Sequence, residues 1–430
     1  EVKNSYIETE IQSTLIRYYA LTLTSRTEKT VAYAGTTGMT SVQAAVDYTI
    51  AHKDACTLSE EVLVTLAEDV RENVTIPAEF NGTLNLNGYT LRGYTTALDC
   101  YGQVRICDEQ PHADLTGKEL AAHGKGTGTV TGSAPEYGGG IRVRSGGYAV
   151  LESGQISGCR AAANFSNNSY GGAAVCADSG TFELTGTGVI RDNKSRAGAA
   201  VYVRSGSSRF LMTGGEVTGN TADSTGVVYN NGGTVQITGG SIYGNKAQYA
   251  GAIYSNKTLR IAGGESPVQI YDNTASVQGG AIYQENGAVT LSNVVLHDNQ
   301  VTGAKTADVT VAAGGAIYQY YGKMTIGDGT MIYGNRAVRG GAIYQRGGST
   351  SNRPNNSIRM LGGLITKNKA QMGGGVAQYP EGVASFQLVR GGVYDNRSTL
   401  SGAGNDFYSR YEGTKENYGP DSSDILPGVT

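Results

Sequence analysis

The stretch GGAIYQENGAVTLSNVVLHDNQ, residues 279–300, contains the elements that determine the fold. It begins with two glycines before a small, a branched and an aromatic residue. It continues as a run in which apolar and polar residues alternate. Near its end, an apolar residue, two variable positions and an asparagine form the segment LHDN, which Gln300 follows. Each piece occurs again elsewhere in the chain, which indicates one unit of a repeat and not a catalytic or phosphate-binding motif.

Two repeated elements run in step along the chain. The branched residue of the GGAIY-like element recurs at intervals of 25 to 35 residues, at Ile141, Val175, Val201, Val228, Ile253, Ile282, Ile317, Ile343 and Val376. The second element, apolar-x-x-Asn, places asparagines at Asn193, Asn220, Asn245, Asn273, Asn299, Asn335, Asn368 and Asn396. An alternating segment such as VQITG or VTLSN lies between them, so each repeat contains three short strands.

This repeat predicts an all-β fold, a right-handed parallel β-helix of about ten or more rungs with three strands per rung. Its period shows neither the spacing of helical repeats nor the LxxLxL of leucine-rich repeats. Identical positions would stack about 4.8 Å apart, so the asparagines could hydrogen-bond from rung to rung. Asparagine also tolerates the left-handed backbone of tight turns, and glycine permits positive φ at the opposite corner.

The two ends of the chain differ from the repeat. Residues 41–54, SVQAAVDYTIAHKD, have the spacing of a short amphipathic helix, with apolar positions at Val42, Ala45, Val46 and Ile50. A helix here would protect the open strand edges of the first rung. We therefore expect residues 41–410 to form the β-helix with its capping helix. Residues 1–40 are expected to be a β-rich lead-in or the remnant of a preceding domain, and 411–430 a polar tail or linker.

Length variation between repeats is expected to fall in turns. The inserts at 303–314 and 349–357 are the clearest examples, and SGAGNDFYS, 401–409, is predicted to be the last, degenerate rung.

Composition excludes several function classes. The formal net charge is −3, which gives no argument for nucleic acid or a membrane surface. No apolar run reaches the roughly 20 residues that span a bilayer. The five cysteines are scattered without a CxxC pair, so no zinc site, no other metal and no cofactor are expected. Cys100 and Cys107 could close a short loop, while Cys159 and Cys176 are expected to fill small buried sites.

The paired GGAI and apolar-x-x-Asn elements resemble the repeats of polymorphic outer-membrane-protein-like adhesins. More broadly, the chain looks like the pectin-lyase-like right-handed β-helix regions of bacterial surface proteins, over about residues 135–408. It departs from the family pattern because Ile, Val or Leu stands where the family has Phe before xxN. The resemblance implies display outside a bacterial cell, often with adhesion. Glycan-active enzymes use the same fold, so fold alone does not decide function.

Tyrosines follow the branched residue of the GGAIY-like element. If the branched residues point inward, these tyrosines point outward and form an exposed column that could stack on sugar rings or simply cover the sheet. The ligand-binding candidates in this column are Tyr254, Tyr283, Tyr318 and Tyr344. A second column of residues expected to point outward stands two positions before the repeated asparagines: Tyr243, Tyr271, His297, Tyr333 and Tyr394.

The turn after each asparagine is often basic, and Arg336 and Arg339 are further binding candidates. A stacked basic edge could hold an acidic polysaccharide. The same charges could also serve only to block edge-to-edge aggregation.

Asp272 and Asp298, with His297 beside them, are the best candidates for catalysis. Stacking would bring the carboxylates to about 5 Å, which suits an acid and a base in glycoside chemistry. The same column carries Gly or Lys in other repeats, which is typical of a tolerant turn position.

The sequence therefore favours a non-enzymatic, extracellular adhesin-type domain on the bacterial surface or secreted. It would be a rigid, monomeric stalk within a longer chain, not embedded in a membrane, that binds glycan or a host or bacterial surface protein. The alternative is a carbohydrate-active hydrolase or lyase that uses Asp272 and Asp298.

Overall fold

A computed structural model describes residues 2–11, 14–23, 29–58, 61–111, 113–115, 126–134, 136–161, 171–303, 312–346, 356–379 and 384–409. The tail at 411–430 and most of the inserts at 303–314 and 349–357 lie outside these ranges. Within the described residues the chain forms three long sheets whose strands pair with their counterparts one repeat further on. This is the predicted parallel β-helix. The right-handedness of the coil stays a prediction.

The first sheet contains the GGAIY-like element, and all its strand pairs are parallel. Its described strands are Val74–Ile76, Leu98–Cys100, Ile141–Val143, Val175–Ala177, Val201–Val203, Val228–Asn230, Ile253–Ser255, Ile282–Gln284, Ile317–Gln319, Ile343–Arg346, Val376–Tyr379 and Phe407–Ser409. Residues 401–409 add a strand in register with the repeat, since Phe407 pairs with Val376; that they form the last rung stays a prediction.

The second sheet contains the alternating segment. Its strands are Thr37–Met39, Ala32–Ala34, Thr57–Leu58, Glu61–Leu66, Asn81–Asn85, Gln103–Cys107, Tyr148–Leu151, Thr181–Leu184, Arg209–Met212, Thr234–Ile237, Thr258–Ala262, Ala288–Ser292, Lys323–Ile326, Asn356–Met360 and Ala384–Leu388. Antiparallel pairing occurs here only before the coil begins, among the strands up to Leu66. A separate antiparallel hairpin joins Val2–Ile11 to Thr14–Leu23.

The third sheet contains the apolar-x-x-Asn element. Its strands are Val70–Arg71, Thr90–Arg92, Thr129–Thr131, Gln155–Ser157, Val189–Arg191, Glu216–Thr218, Ser241–Tyr243, Val268–Tyr271, Val294–His297, Met331–Tyr333, Leu364–Thr366 and Gly392–Tyr394. Short corner strands follow the strands of this sheet, and from Asn193 onward each comes directly after a ladder asparagine: Ser133–Ala134, Arg160–Ala161, Lys194–Ser195, Thr221–Ala222, Lys246–Tyr249, Thr274–Gln278, Gln300–Val301, Lys369–Ala370 and Arg397–Ser398. These corner strands add a fourth short pairing to the three strands predicted per rung.

The asparagines form a continuous buried ladder, as predicted. The side-chain amide of Asn273 donates to Oδ1 of Asn299 at 3.0 Å, and the amide of Asn299 donates to Oδ1 of Asn335 at 3.1 Å. The same arrangement runs from Asn193 to Asn396, where the last amide donates to the carboxylate of Asp406. The ladder satisfies polar groups that each corner would otherwise bury without partners.

One apolar core fills the inside of the coil. It includes the in-register residues Ile253, Ile282, Ile317 and Ile343, which are fully buried. The alternating strands contribute the opposite wall, for example Val289 and Leu291. Removing such side chains from water supplies the main driving force for folding, at about 25 cal/mol per Å² of apolar surface.

A helix closes the N-terminal end of the coil, as the sequence predicts. Helix α1, Val42–Ala51, begins at Ser41, whose hydroxyl accepts a hydrogen bond from the backbone of Ala44. The side chain of Gln43 donates to the carbonyl of Thr75 and accepts from its N–H, so it satisfies the open edge of the first strand in the first sheet. A second, four-residue helix spans Lys53–Cys56, and a 3-10 turn spans Ala113–Leu115.

The predicted apolar face of α1 is wrong at its C-terminal end. Ile50 is 39% exposed, whereas Thr49 is buried. Thr49 can be buried because its hydroxyl donates to the carbonyl of Val46 one turn earlier.

The five cysteines are buried free thiols. Cys100 lies in the first sheet and Cys107 in the second. Both are free thiols, so they do not form the disulfide that would close a short loop between them. Burial raises the pKa of the Cys159 and Cys176 thiols to about 12. Both fill small buried sites, as predicted: Cys159 belongs to the core of the coil, whereas Cys176 is buried with Tyr137 and Tyr202 on the outer face of the first sheet.

Candidate functional site

A left-handed turn lies between the third sheet and the corner strands. The residue before each ladder asparagine has positive φ, as in Asp272 at 52°, Asp298 at 54° and Gly334 at 69°. The sequence prediction gave this conformation to the asparagine column, but it belongs to the preceding residue. Glycine and aspartate are both common there because left-handed φ is free for glycine and tolerated by aspartate.

An aromatic column stands on the outward face of the third sheet, immediately before this turn. The rings of Tyr243, Tyr271, His297 and Tyr333 stack with centroids 4.9 to 5.1 Å apart and planes within 5° of parallel. Thr366 interrupts the column before Tyr394, which is 52% exposed. This column is the partly exposed aromatic surface that the sequence predicted.

A basic column stands on the other side of the turn, at the residue that directly follows Asn335, Asn368 and Asn396. Arg336 pairs with Lys369, and Lys369 pairs with Arg397, so their side chains leave neighbouring rungs in register. All three are exposed, as is Lys367. Arg339 lies further along the same corner and is half-buried. The structure therefore brings the two arginine candidates to one corner.

The first tyrosine column is buried, so the prediction that it is exposed is wrong. Tyr318 is fully buried, and Tyr254, Tyr283 and Tyr344 are each less than 10% exposed. Their rings stack on one another with centroids 4.7 to 5.2 Å apart, and Tyr249 and Tyr320 pack against Tyr283 from outside.

Burial has two consequences for this column. It raises the pKa of the Tyr318 and Tyr283 hydroxyls well above the ordinary value. It also leaves no free ring face on which a sugar could stack. The four tyrosines cover the first sheet and support one another, and a ligand-binding role for them stays a prediction.

Asp272 and Asp298 are exposed turn residues. The carboxylate of Asp298 accepts a hydrogen bond from Nδ1 of His297 at 2.8 Å, if that nitrogen carries the proton. The other carboxylate oxygen of Asp298, Oδ1, lies close to Gly334 on the next rung. A Cβ atom added at Gly334 would stand only 2.5 Å from this oxygen, so a larger residue there would collide with it. The same contact is made by Asp192 to Gly219, so it accounts for glycine on the rung after these two aspartates, and catalysis by Asp272 and Asp298 stays a prediction.

Substitution at Asp298 tests whether the position serves the turn. We expect Asp298→Gly to change the unfolding free energy by less than about 0.5 kcal/mol. Asp298→Val should lower it by about 1 to 3 kcal/mol, because a β-branched residue is strained at positive φ. Urea unfolding of both variants measures the difference. Equal tolerance of glycine and valine would contradict the turn interpretation.

Sequence reasoning missed two sets of structural polar residues. A second buried ladder joins Gln284, Gln319 and Gln345, whose amides donate from rung to rung at 3.1 and 2.9 Å. Glutamine at the same position of successive GGAIYQ repeats was the signal that could have revealed it.

The second missed set is an ion network outside the first sheet. Asp178 binds Arg142 and Arg204, and Arg144 binds Asp99. Burial alone would raise the pKa of Asp178, but hydrogen bonds from Arg142 and Arg204 lower it overall. These arginines are paired with carboxylates and are therefore structural.

A groove of about 420 Å³ opens on the outward face of the third sheet. Gln155, Arg191, Glu216 and Thr218 contribute to its lining, and Tyr243 lies at its C-terminal end. Sequence reasoning did not predict it, because turn residues from several repeats of different length complete its wall.

Comparison with known proteins gives one match. A family model described as the Chlamydia polymorphic membrane protein repeat matches residues 267–285. This segment contains IYDN, 270–273, and GGAIY, 279–283. No curated protein and no solved structure matches the chain. The predicted resemblance is thus supported for a β-helix-forming repeat similar to that of these membrane proteins. In the described part of the chain, neither helix has the length and hydropathy needed to cross a membrane.

Proposed function

We propose that this chain is a rigid, non-enzymatic module of a bacterial surface or secreted protein that binds acidic glycan at the corner beside the asparagine ladder. The observation that carries the proposal is the register of Arg336, Lys369 and Arg397 on neighbouring rungs, all exposed. A rung spacing of about 4.8 Å makes a row of cations along the coil. Such a row suits a polymer that carries a carboxylate on successive sugars.

The charge around this row favours an anionic ligand. Lys367 adds a fourth exposed cation, and Asp395 is the only carboxylate in the same turn positions of these rungs. Among the described residues, none of the three in-register cations lies within ion-pair distance of a carboxylate. The arginines of the Asp178 network, by contrast, are already neutralised.

Surface display is supported by the matched repeat, whose family is named for membrane proteins. The coil supports a stalk role because the ladder and the core run through successive rungs without interruption. An enzymatic role for Asp272 and Asp298 has less support, since both residues occupy the left-handed turn position that glycine fills in other rungs.

Neutralising the basic row tests the proposal. Binding to immobilised polygalacturonate should weaken at least tenfold in the Arg336→Gln/Lys369→Gln/Arg397→Gln variant, which is a loss of about 1.4 kcal/mol or more. The matched control is Arg260→Gln/Lys323→Gln/Arg359→Gln, which removes the same charge from exposed positions of the second sheet. Equal weakening in both variants would show a general charge effect and contradict a site at the corner.

A further inference from the structure

The aromatic column of the third sheet ends abruptly at Tyr243. The ring of Tyr271 covers one face of Tyr243, at a centroid distance of 4.9 Å and an interplanar angle of 3°. On the other side, the residue in register on the preceding rung is Thr218, and beyond it Arg191. Because threonine is much shorter than tyrosine, the outer part of the Tyr243 ring has no aromatic neighbour on that side.

The groove begins at this free ring face. Its sheet floor is formed by two columns in register, Val189 with Glu216 and Arg191 with Thr218. The remaining wall consists of small and polar turn residues, among them Gln155. A sugar is recognised by an apolar ring face that lies beside side-chain amide, hydroxyl and carboxylate groups. The C–H face of the sugar packs on the ring, and the sugar hydroxyls form hydrogen bonds with the polar groups.

The charged side chains of the groove already form hydrogen bonds or ion pairs within the protein. The Asp108 carboxylate accepts hydrogen bonds from the backbone of Gly88 and Gly128, at 2.6 and 2.7 Å. The guanidinium of Arg191 donates to Asp192 at 2.8 Å. Glu216 accepts a hydrogen bond from the Tyr243 hydroxyl at 2.8 Å, which raises the pKa of that hydroxyl.

This charge arrangement selects against an acidic ligand. Among the described lining residues Arg191 carries the only guanidinium, which is paired with Asp192, and two others, Asp108 and Glu216, are carboxylates. An anionic sugar would meet repulsion there without a free cation to offset it. The ligand chemistry that fits is a neutral pyranose.

We propose that the groove binds a neutral pyranose unit of an oligosaccharide, with the sugar face packed on the N-terminal side of the Tyr243 ring. The bond between Glu216 and the Tyr243 hydroxyl fixes the ring as the end wall. The second oxygen of Glu216 accepts hydrogen bonds from sugar hydroxyls, and so does the side-chain carbonyl of Gln155, whose amide donates to Oγ1 of Thr129 at 2.9 Å. The site goes beyond the proposed function, because it is separate from the basic row and takes an uncharged ligand.

Two variants test the free ring face in opposite ways. Tyr243→Ala removes the ring, and Thr218→Tyr covers it with one more ring in a column that carries tyrosine in other rungs. The matched control is Tyr333→Ala, which removes a ring of the same column three rungs away. The probes are maltotriose, cellotriose and triacetylchitotriose as neutral ligands and trigalacturonate as the acidic one, studied by saturation-transfer NMR and titration calorimetry.

At least one neutral trisaccharide should bind, with an affinity reduced at least tenfold in Tyr243→Ala and Thr218→Tyr and unchanged in Tyr333→Ala. Absence of binding by all three neutral probes at millimolar concentration would overturn the proposal. Binding that survives both groove variants would overturn it as well. Polygalacturonate binding at the basic row should be the same in both groove variants, so failure of this site and failure of the proposed function are distinguishable.

Discussion

Asn299→Ala is expected to lower the free energy of unfolding by about 3 to 5 kcal/mol. Oδ1 of Asn299 accepts from both the backbone and the side chain of Asn273, and its amide donates to the carbonyls of Ile270 and His297. Alanine leaves the buried backbone N–H of Asn273 without its acceptor, at a cost of about 1 to 3 kcal/mol, and removes the other hydrogen bonds of Asn299, each worth about 0.5 to 1.5 kcal/mol. The shift of the urea unfolding midpoint measures the loss.

Gln300→Ala is the matched control, because Gln300 follows Asn299 in the same turn but is exposed. It should cost less than about 0.5 kcal/mol. Asn299→Asp should cost at least as much as Asn299→Ala, because the second carboxylate oxygen would face Oδ1 of Asn335 and the carbonyls of Ile270 and His297 where the amide now donates. An Asn299→Ala variant as stable as Gln300→Ala would mean that the ladder contributes no stability.

Tyr318→Ala is expected to lower the unfolding free energy by about 3 to 5 kcal/mol, the range for deletion of a large buried ring. The Tyr318 side chain is fully buried, with the rings of Tyr283 and Tyr344 on either side at 4.9 and 5.2 Å. Removing it leaves a cavity and deprives both neighbours of a packing surface. Thermal and urea unfolding of the variant measure the effect.

Tyr394→Ala is the control for this prediction. Tyr394 is 52% exposed at the end of the other aromatic column, so its loss should cost less than about 1 kcal/mol. If Tyr318→Ala were equally mild, the first tyrosine column would be an accessible surface, and a binding role for it would return.

The fold was predictable because its determinants are periodic. Asn273 and Asn299 stand at equivalent places in successive repeats, and a parallel coil is the arrangement that stacks such positions. For the same reason it was predictable that the tyrosines of the first column point away from the core of the coil. The burial of this column was not predictable, because it depends on Tyr249, at the end of a corner strand, and on Tyr320, which follows a strand of the first sheet. Both lie outside the repeated elements, and their packing depends on tertiary contacts.

The candidate site was predictable only in part. Position in the repeat placed Arg336 and Lys369 at one corner. The scatter of Asp, Gly and Lys before the ladder asparagines indicated a turn, and positive φ is its physical basis. The groove at Tyr243 depends on where the aromatic column ends and on turns of unequal length, so no local pattern reveals it.

We propose that the corner beside the ladder holds an acidic glycan without cleaving it. The most direct measurement incubates the protein with polygalacturonate and follows bound polymer and new reducing ends in the same sample. We predict binding that weakens as salt rises, since salt screens exposed charges beyond about 10 Å at 0.1 M, with no increase in reducing ends. Absence of binding at low salt would contradict the claim, and so would reducing ends whose release is abolished by Asp272→Asn or Asp298→Asn.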